Sequence, residues 1–182
     1  MHVGFLPIDL ARWDQARPSQ LLSVGLWSDV RPLRGASGLL DWRMCGKLSS
    51  LMVAGKVGGA EGEQTLLPSA GRLVWKLILA AGLGRRADFS EKRFRTAVRR
   101  VLKTIRGLQV TRLAMVLPGR DGEAAIAARR ALELILAETE EGQPGAVEDL
   151  VLIEPAAAQK EMAELIRQRG MRKAPTKAGS TA

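Results

Sequence analysis

With 182 residues, 46% of them apolar and 26% charged, the chain is long enough for one domain with its own core and too apolar to stay unfolded. Its 28 Lys and Arg against 19 Asp and Glu leave a net charge of +9, which favours an acidic partner. The single cysteine (Cys45) and single histidine (His2) exclude an internal disulfide and a zinc site of the usual nitrogen and sulfur ligands, and any Ser-His-Asp or Cys-His chemistry would have to use His2 beside the start.

Met1 to Leu10 lacks a basic region followed by a long apolar run, so no secretory leader is expected there. Val3 to Leu10 is short, apolar and interrupted by Pro7, which predicts an edge strand. Leu21 to Trp27 predicts a buried strand closed by Ser28, Asp29 and the turn at Pro32. From Ser37 the period changes: Leu39, Leu40, Met44, Leu48, Leu51 and Met52 recur at three- and four-residue spacing, an amphipathic helix with Ser37 as its cap. In that helix Cys45 reads as a small buried residue, and Asp41 and Arg43, flanking Trp42, as a local pair. The four glycines between Gly55 and Gly62 mark a loop, either a lid or a loose surface connection.

Glu63 to Leu67 predicts a short strand ended by Pro68. Leu73 to Ala81 is nearly continuous in apolar residues, as in a central strand covered on both faces, and Gly82-Leu-Gly84 is expected to end it. The longest apolar stretch, Leu73 to Leu83, is broken by Lys76 and Gly82 and is too short to cross a membrane, so a cytoplasmic protein is expected. A helix is predicted from Ser90 to Arg106, with Phe94, Val98, Val101, Leu102 and Ile105 on one face and Gly107 closing it. A strand (Thr111 to Leu117), a turn at Pro118-Gly119, a helix (Gly122 to Glu138), a strand (Leu150 to Ile153) and a helix (Ala156 to Arg169) follow. Residues 1–170 are expected to form one domain and 171–182 a disordered basic tail. The strand–helix alternation predicts a three-layer α/β/α sandwich with a mixed, mostly parallel sheet.

In such folds ligands sit beyond the carboxyl ends of the strands. Two predicted loops qualify, and both also read as ordinary turns. In Ala81 to Arg86, Gly82 and Gly84 permit close backbone approach while Arg85 and Arg86 bring charge toward a helix N-terminus, so the loop reads as a phosphate or nucleotide cradle or as a tight turn with solvated arginines. In Leu117 to Gly122, Gly119 and Arg120 would face the same ligand and Asp121 would cap the next helix. The helix from Ser90 carries Lys92, Arg93, Arg95, Arg99, Arg100, Lys103 and Arg106 against one acid, Glu91. Lys92, Arg95, Arg99, Lys103 and Arg106 share a stripe opposite the apolar face, suited to neutralising phosphates of a nucleic acid or to meeting water. With no Tyr and four dispersed tryptophans, no base-stacking platform is present.

The order of Arg31-Pro-Leu-Arg-Gly-Ala-Ser-Gly-Leu-Leu-Asp41, the glycine loop with Gly62-Glu63 and Leu66-Leu67, and Leu77 to Gly84 before a helix resembles the N-terminal domain of the leucyl aminopeptidase family across roughly Gln20 to Glu140. That resemblance implies a macro-domain-like sandwich. It assigns catalysis to a C-terminal domain with two metal ions, a lysine and an Asn-Thr-Asp-Ala-Glu-Gly-Arg stretch. Gly71-Arg72-Leu73-Val74 echoes the end of that stretch, but Ser69-Ala70 precede it and bring no carboxylate. No catalytic or metal residue is carried over, no cofactor is implied, and a non-enzyme is expected. Two functions remain. One is a binding module for an anionic, nucleotide-like small ligand (Gly82, Gly84, Arg85, Arg86, Gly119, Arg120) or for a partner protein. The other is nucleic-acid binding through the basic helix and tail, an activity that the resemblance includes for some members.

Overall fold

The computed structural model describes residues 1–120, 126–141, 147–170 and 172–173. Seven strands form one sheet: β1 (His2–Leu6), β2 (Ser19–Trp27), β3 (Gln64–Pro68), β4 (Trp75–Gly84), β5 (Arg112–Met115), β6 (Asp149–Ile153) and β7 (Arg172–Lys173). Their spatial order is β3-β4-β2-β5-β6-β1-β7, and every neighbouring pair is parallel except β3 with β4. Among the described residues six α-helices cover it: α1 (Leu10–Asp14), α2 (Gly35–Arg43), α3 (Lys47–Val53), α4 (Glu91–Gly107), α5 (Ala128–Glu141) and α6 (Ala156–Gln168). None of them is long and apolar enough to cross a membrane.

Alternation along the strands divides the interior in two. Leu21, Leu79, Leu113, Met115, Leu150 and Leu152 face a core closed by Phe94, Val98, Val101, Leu102 and Ile105 of α4 and by α5 and α6. Leu22, Val24, Ile78, Ala80, Ala114 and Ile153 face the other, closed by Trp13 of α1, Ala36 and Leu40 of α2, Met44 just beyond it and Leu48 of α3. Trp13 stands edge-on to Trp75, ring centres 5.6 Å apart, and donates its indole N–H to the Pro7 carbonyl (2.9 Å). The result is the expected three-layer sandwich.

Several local expectations are corrected. The first strand lies inside the sheet between β6 and β7 and stops before Pro7; Asp9 then caps α1, accepting from Ala11 N (2.8 Å) and Arg12 N (3.2 Å). His2 is part of β1, its Nδ1 2.9 Å from an Asp149 carboxylate oxygen. The helix expected from Ser37 is two helices, because Cys45 (φ 54°) and Gly46 (φ 73°) adopt left-handed backbone between them. Ser37 lies inside α2 and donates to the Gly25 carbonyl (2.9 Å). Asp41 is not paired with Arg43: its carboxylate accepts from Leu48 N (2.8 Å), Ser49 N (3.1 Å) and the Ser49 hydroxyl. Cys45 is exposed. Strand β4 runs on through Gly82 and Leu83 and ends at Gly84, and Gln109 (φ 55°), beyond Gly107, takes the left-handed turn after α4. Arg172 and Lys173, within the expected tail, pair with β1. The rest of that tail apart from these two, the start of the helix expected from Gly122, and the Asp121 cap lie outside the described residues.

Candidate functional site

The crossovers from β2 to β4 and from β4 to β5 run to opposite sides of β2, so the sheet's switch point lies at the carboxyl ends of β2, β4 and β5. This is where the two predicted loops converge. The space between them is filled by the chain itself. The glycine-rich loop lies across the ends of β2 and β4: Gly82 N donates to the Glu63 carbonyl (2.7 Å), Gly62 N to the Gly82 carbonyl (3.2 Å), and Gly84 N to the Gly59 carbonyl (2.9 Å). A Cβ on Gly82 would stand 2.0 Å from the Ala60 oxygen, and one on Gly59 would stand 2.7 Å from the Trp27 oxygen. Glycine at 82 therefore admits the loop's own backbone. The loop is held rather than loose, since the Glu63 carboxylate accepts from Gly58 N (2.9 and 3.0 Å) and from Ala60 N (3.1 Å).

On the other side, Phe89 follows a single 3-10 turn (Arg86–Asp88) and packs edge-on to Trp27, ring centres 5.0 Å apart. Gly119, at φ 72°, leaves room for that ring: a Cβ there would lie 2.4 Å from Phe89 Cε1. Arg120 is 5% exposed and turned inward, its Nε and Nη2 each donating to one oxygen of Glu154 at 2.8 Å and its Nη1 to the Ile126 carbonyl. Glu154 is wholly buried at the end of β6. Burial pushes its carboxyl above the usual range, against the pull of the Arg120 guanidinium. Arg85 and Arg86 are exposed at the rim, with Arg86 N donating to Asp29 (3.0 and 3.3 Å). Of the six residues expected to face a small ligand, the two arginines at 85 and 86 are presented outward, whereas Gly82, Gly84, Gly119 and Arg120 are engaged in internal packing.

The basic helix is α4, capped by Ser90. Its apolar face is buried as predicted. The stripe opposite is less uncompensated than the local sequence indicates. Arg95 Nε (2.7 Å) and Arg99 Nε (2.5 Å) both bind Glu138 of α5, whose side chain is 2% exposed. Arg93 meets Glu61 (3.3 Å) and Asp88 (3.6 Å), and Glu91 is held by Arg130 of α5, which keeps its carboxyl below the usual range. Lys92, Arg100, Lys103 and Arg106 form no ion pair among the described residues. The acids that matter here are 30 or more positions away from the cations they pair with, or sit in another loop, so spacing within α4 could not reveal them. Phe89 and Trp27 carried a signal, as aromatic residues at the ends of a strand and a turn.

Residues 24–141 match the family described as the cytosol aminopeptidase family, N-terminal domain. A probable cytosol aminopeptidase of Ralstonia nicotianae is 30% identical over 133 residues, 68% of this chain and 26% of that protein. One of Cupriavidus necator is 34% identical over 102 residues, 56% of this chain and 19% of that protein. The chain thus spans about a quarter or less of the length of these relatives. Among solved structures, a tomato leucine aminopeptidase mutant superposes with a TM-score of 0.63 at 16% identity, covering 90% of this chain and 35% of that one. A Trypanosoma brucei macrodomain in complex with ADP-ribose superposes with a TM-score of 0.68 at 16% identity, covering 91% of this chain and 69% of that one. The fold is therefore macro-like.

Proposed function

Because the chain belongs to the cytosol aminopeptidase family, matching its N-terminal domain, we propose that this domain is a non-catalytic binding module whose partner is an acidic macromolecule, duplex DNA being the probe of choice, held along the outer face of α4. The observation that carries this reading is the set Lys92, Arg100, Lys103 and Arg106, cations with no acidic partner among the described residues. Lys92 and Arg106 lie about 21 Å apart along the helix axis at 1.5 Å per residue, enough to follow several phosphates of one strand. The apolar face of the same helix is locked into the core, so the row of charge is presented on a rigid rod. The partner is sought in the cytosol, where the name of the relatives places them.

A second reading keeps the strand-end crevice as a site for an ADP-ribose-like anion. It is favoured by the exposed pair Arg85 and Arg86 at its rim and by the macrodomain neighbour that holds ADP-ribose. It requires Phe89 to leave its place between Trp27 and Gly119.

A titration with labelled duplex DNA at several salt concentrations, run beside ADP-ribose in one buffer, separates the two. DNA affinity falling steeply with salt, with no ADP-ribose binding, is the expected result. Salt-tolerant ADP-ribose binding without DNA binding replaces the first reading by the second.

A further inference from the structure

On the face of the sheet opposite α4, the turn between α2 and α3 stands across from the turn that joins β3 to β4, and between them lies an open cleft of about 820 Å3. Trp42 and Arg43 line it from the end of α2, Cys45 and Gly46 from the first turn, Gly71 and Arg72 from the second. Both walls hold left-handed backbone: Cys45 (φ 54°) and Gly46 (φ 73°) on one side, Ala70 (φ 52°) and Gly71 (φ 75°) on the other. The walls are tied together. Arg43 Nε donates to the Arg72 carbonyl (3.1 Å), and Arg72 Nη1 donates to Cys45 Sγ (3.0 Å).

Two groups stand open to a partner. Trp42 is 70% exposed, whereas Trp13, Trp27 and Trp75 are buried, and a bare indole leaves a large apolar area in water. Arg72 has a thiol for a partner and no carboxylate among the described residues. The acids nearby are occupied: Asp41 by the backbone and hydroxyl of α3, Asp14 by Arg43. The cleft therefore offers a positioned guanidinium beside an open aromatic face.

We propose that this cleft docks a short acidic segment of a partner protein, a carboxylate on Arg72 and an aliphatic or prolyl side chain on Trp42. Complementarity selects that occupant. A guanidinium fork pairs with a carboxylate through two parallel hydrogen bonds. A tryptophan in a concave site is a common energetic anchor of protein contacts. Gly46 and Gly71 carry no side chain, so a main chain can approach both walls. Among the described residues, a nucleic acid would find here one cation without an acidic partner, whereas α4 presents four. The site lies on the other side of the sheet and does not rest on the α4 reading.

Cys45 is the single cysteine of the chain and forms part of the wall, so its alkylation rate reports occupancy in the whole protein. The probes are a pool of hexapeptides with two randomised central residues flanked by pairs of glutamate and a matched pool flanked by lysine. The acidic pool is expected to slow alkylation by about fivefold once it exceeds its Kd about fourfold, with no effect of the lysine pool or of duplex DNA. Trp42→Ala and Arg72→Ala alter exposed side chains and are expected to melt as the parent does. Each, referred to its own unliganded rate, should lose most of the protection. Equal slowing by both pools, protection that survives in the double variant, or no slowing at millimolar peptide overturns the proposal. So does protection that rises with protein concentration alone, which assigns the cleft to a second copy of this chain.

Discussion

A Cβ at Gly82 would stand 2.0 Å from the Ala60 oxygen, and the obstacle is backbone that is itself hydrogen-bonded on both sides. Gly82→Ala is therefore expected to lower stability by about 1–3 kcal/mol, the usual range for overpacking, measured by urea unfolding. An unchanged midpoint would mean that the loop moves away freely. Arg120 and Glu154 pose the reverse problem, a charge pair that has left water altogether. Glu154→Gln leaves a buried guanidinium without its counter-ion and should cost about 3–5 kcal/mol, while Arg120→Met with Glu154→Leu should cost far less. The carboxyl also sets a pH dependence. The folded state binds its proton more tightly than the unfolded chain, so its contribution to stability falls as pH rises through the raised value and is recovered as pH drops toward the ordinary carboxylate range. Relative to the double variant, the parent should gain stability on acidification across that window; a constant difference would contradict the shift. None of this was legible from Leu117 to Gly122 alone. An arginine after Pro-Gly reads as a ligand group until the chain brings a buried carboxylate from 34 residues away.

At the level of elements, the sequence pattern failed where a turn preserved the apolar spacing. Leu40, Met44 and Leu48 keep a four-residue interval across the α2–α3 break, because Cys45 and Gly46 turn the chain while leaving all three in one core. The visible signal was Gly46, a poor residue for a helix interior, and the hidden one was Asp41, whose carboxylate restarts the helix by accepting from Leu48 N and Ser49 N. Asp41→Ala should therefore destabilise the protein by about 1–2 kcal/mol in thermal unfolding, and an effect near zero would show that α3 is held by packing alone. Strands were easier to read. Long apolar runs bounded by turn residues located β2, β4 and β6, since burial on both faces leaves no room for another composition. The last three residues of β4 were missed because Gly82 serves there to admit a neighbouring backbone instead of to stop the strand.

For the molecule as a whole, architecture was legible and the location of function was not. Alternating strands and helices imply layers whatever the loops do, whereas a site depends on which side chains the folded chain has already used. The net charge of +9 is spread over a surface where Arg95 and Arg99 are held by Glu138 and Arg93 by Glu61 and Asp88, so formal charge overstates what a partner meets. What α4 presents without an ion pair among the described residues is Lys92, Arg100, Lys103 and Arg106. Replacing these four by Ala should flatten the dependence of DNA affinity on salt by about 0.9 logarithmic unit for each phosphate no longer neutralised, and should weaken binding alike on any sequence. Arg85→Ala with Arg86→Ala should leave that slope nearly unchanged, because both lie at the crevice rim and outside the row. If the two sets reduce the slope equally, the DNA footprint covers the whole basic end of the molecule and α4 loses its special role. If the α4 set alone reduces it, the helix that closes one core with its inner face also carries the partner on its outer one.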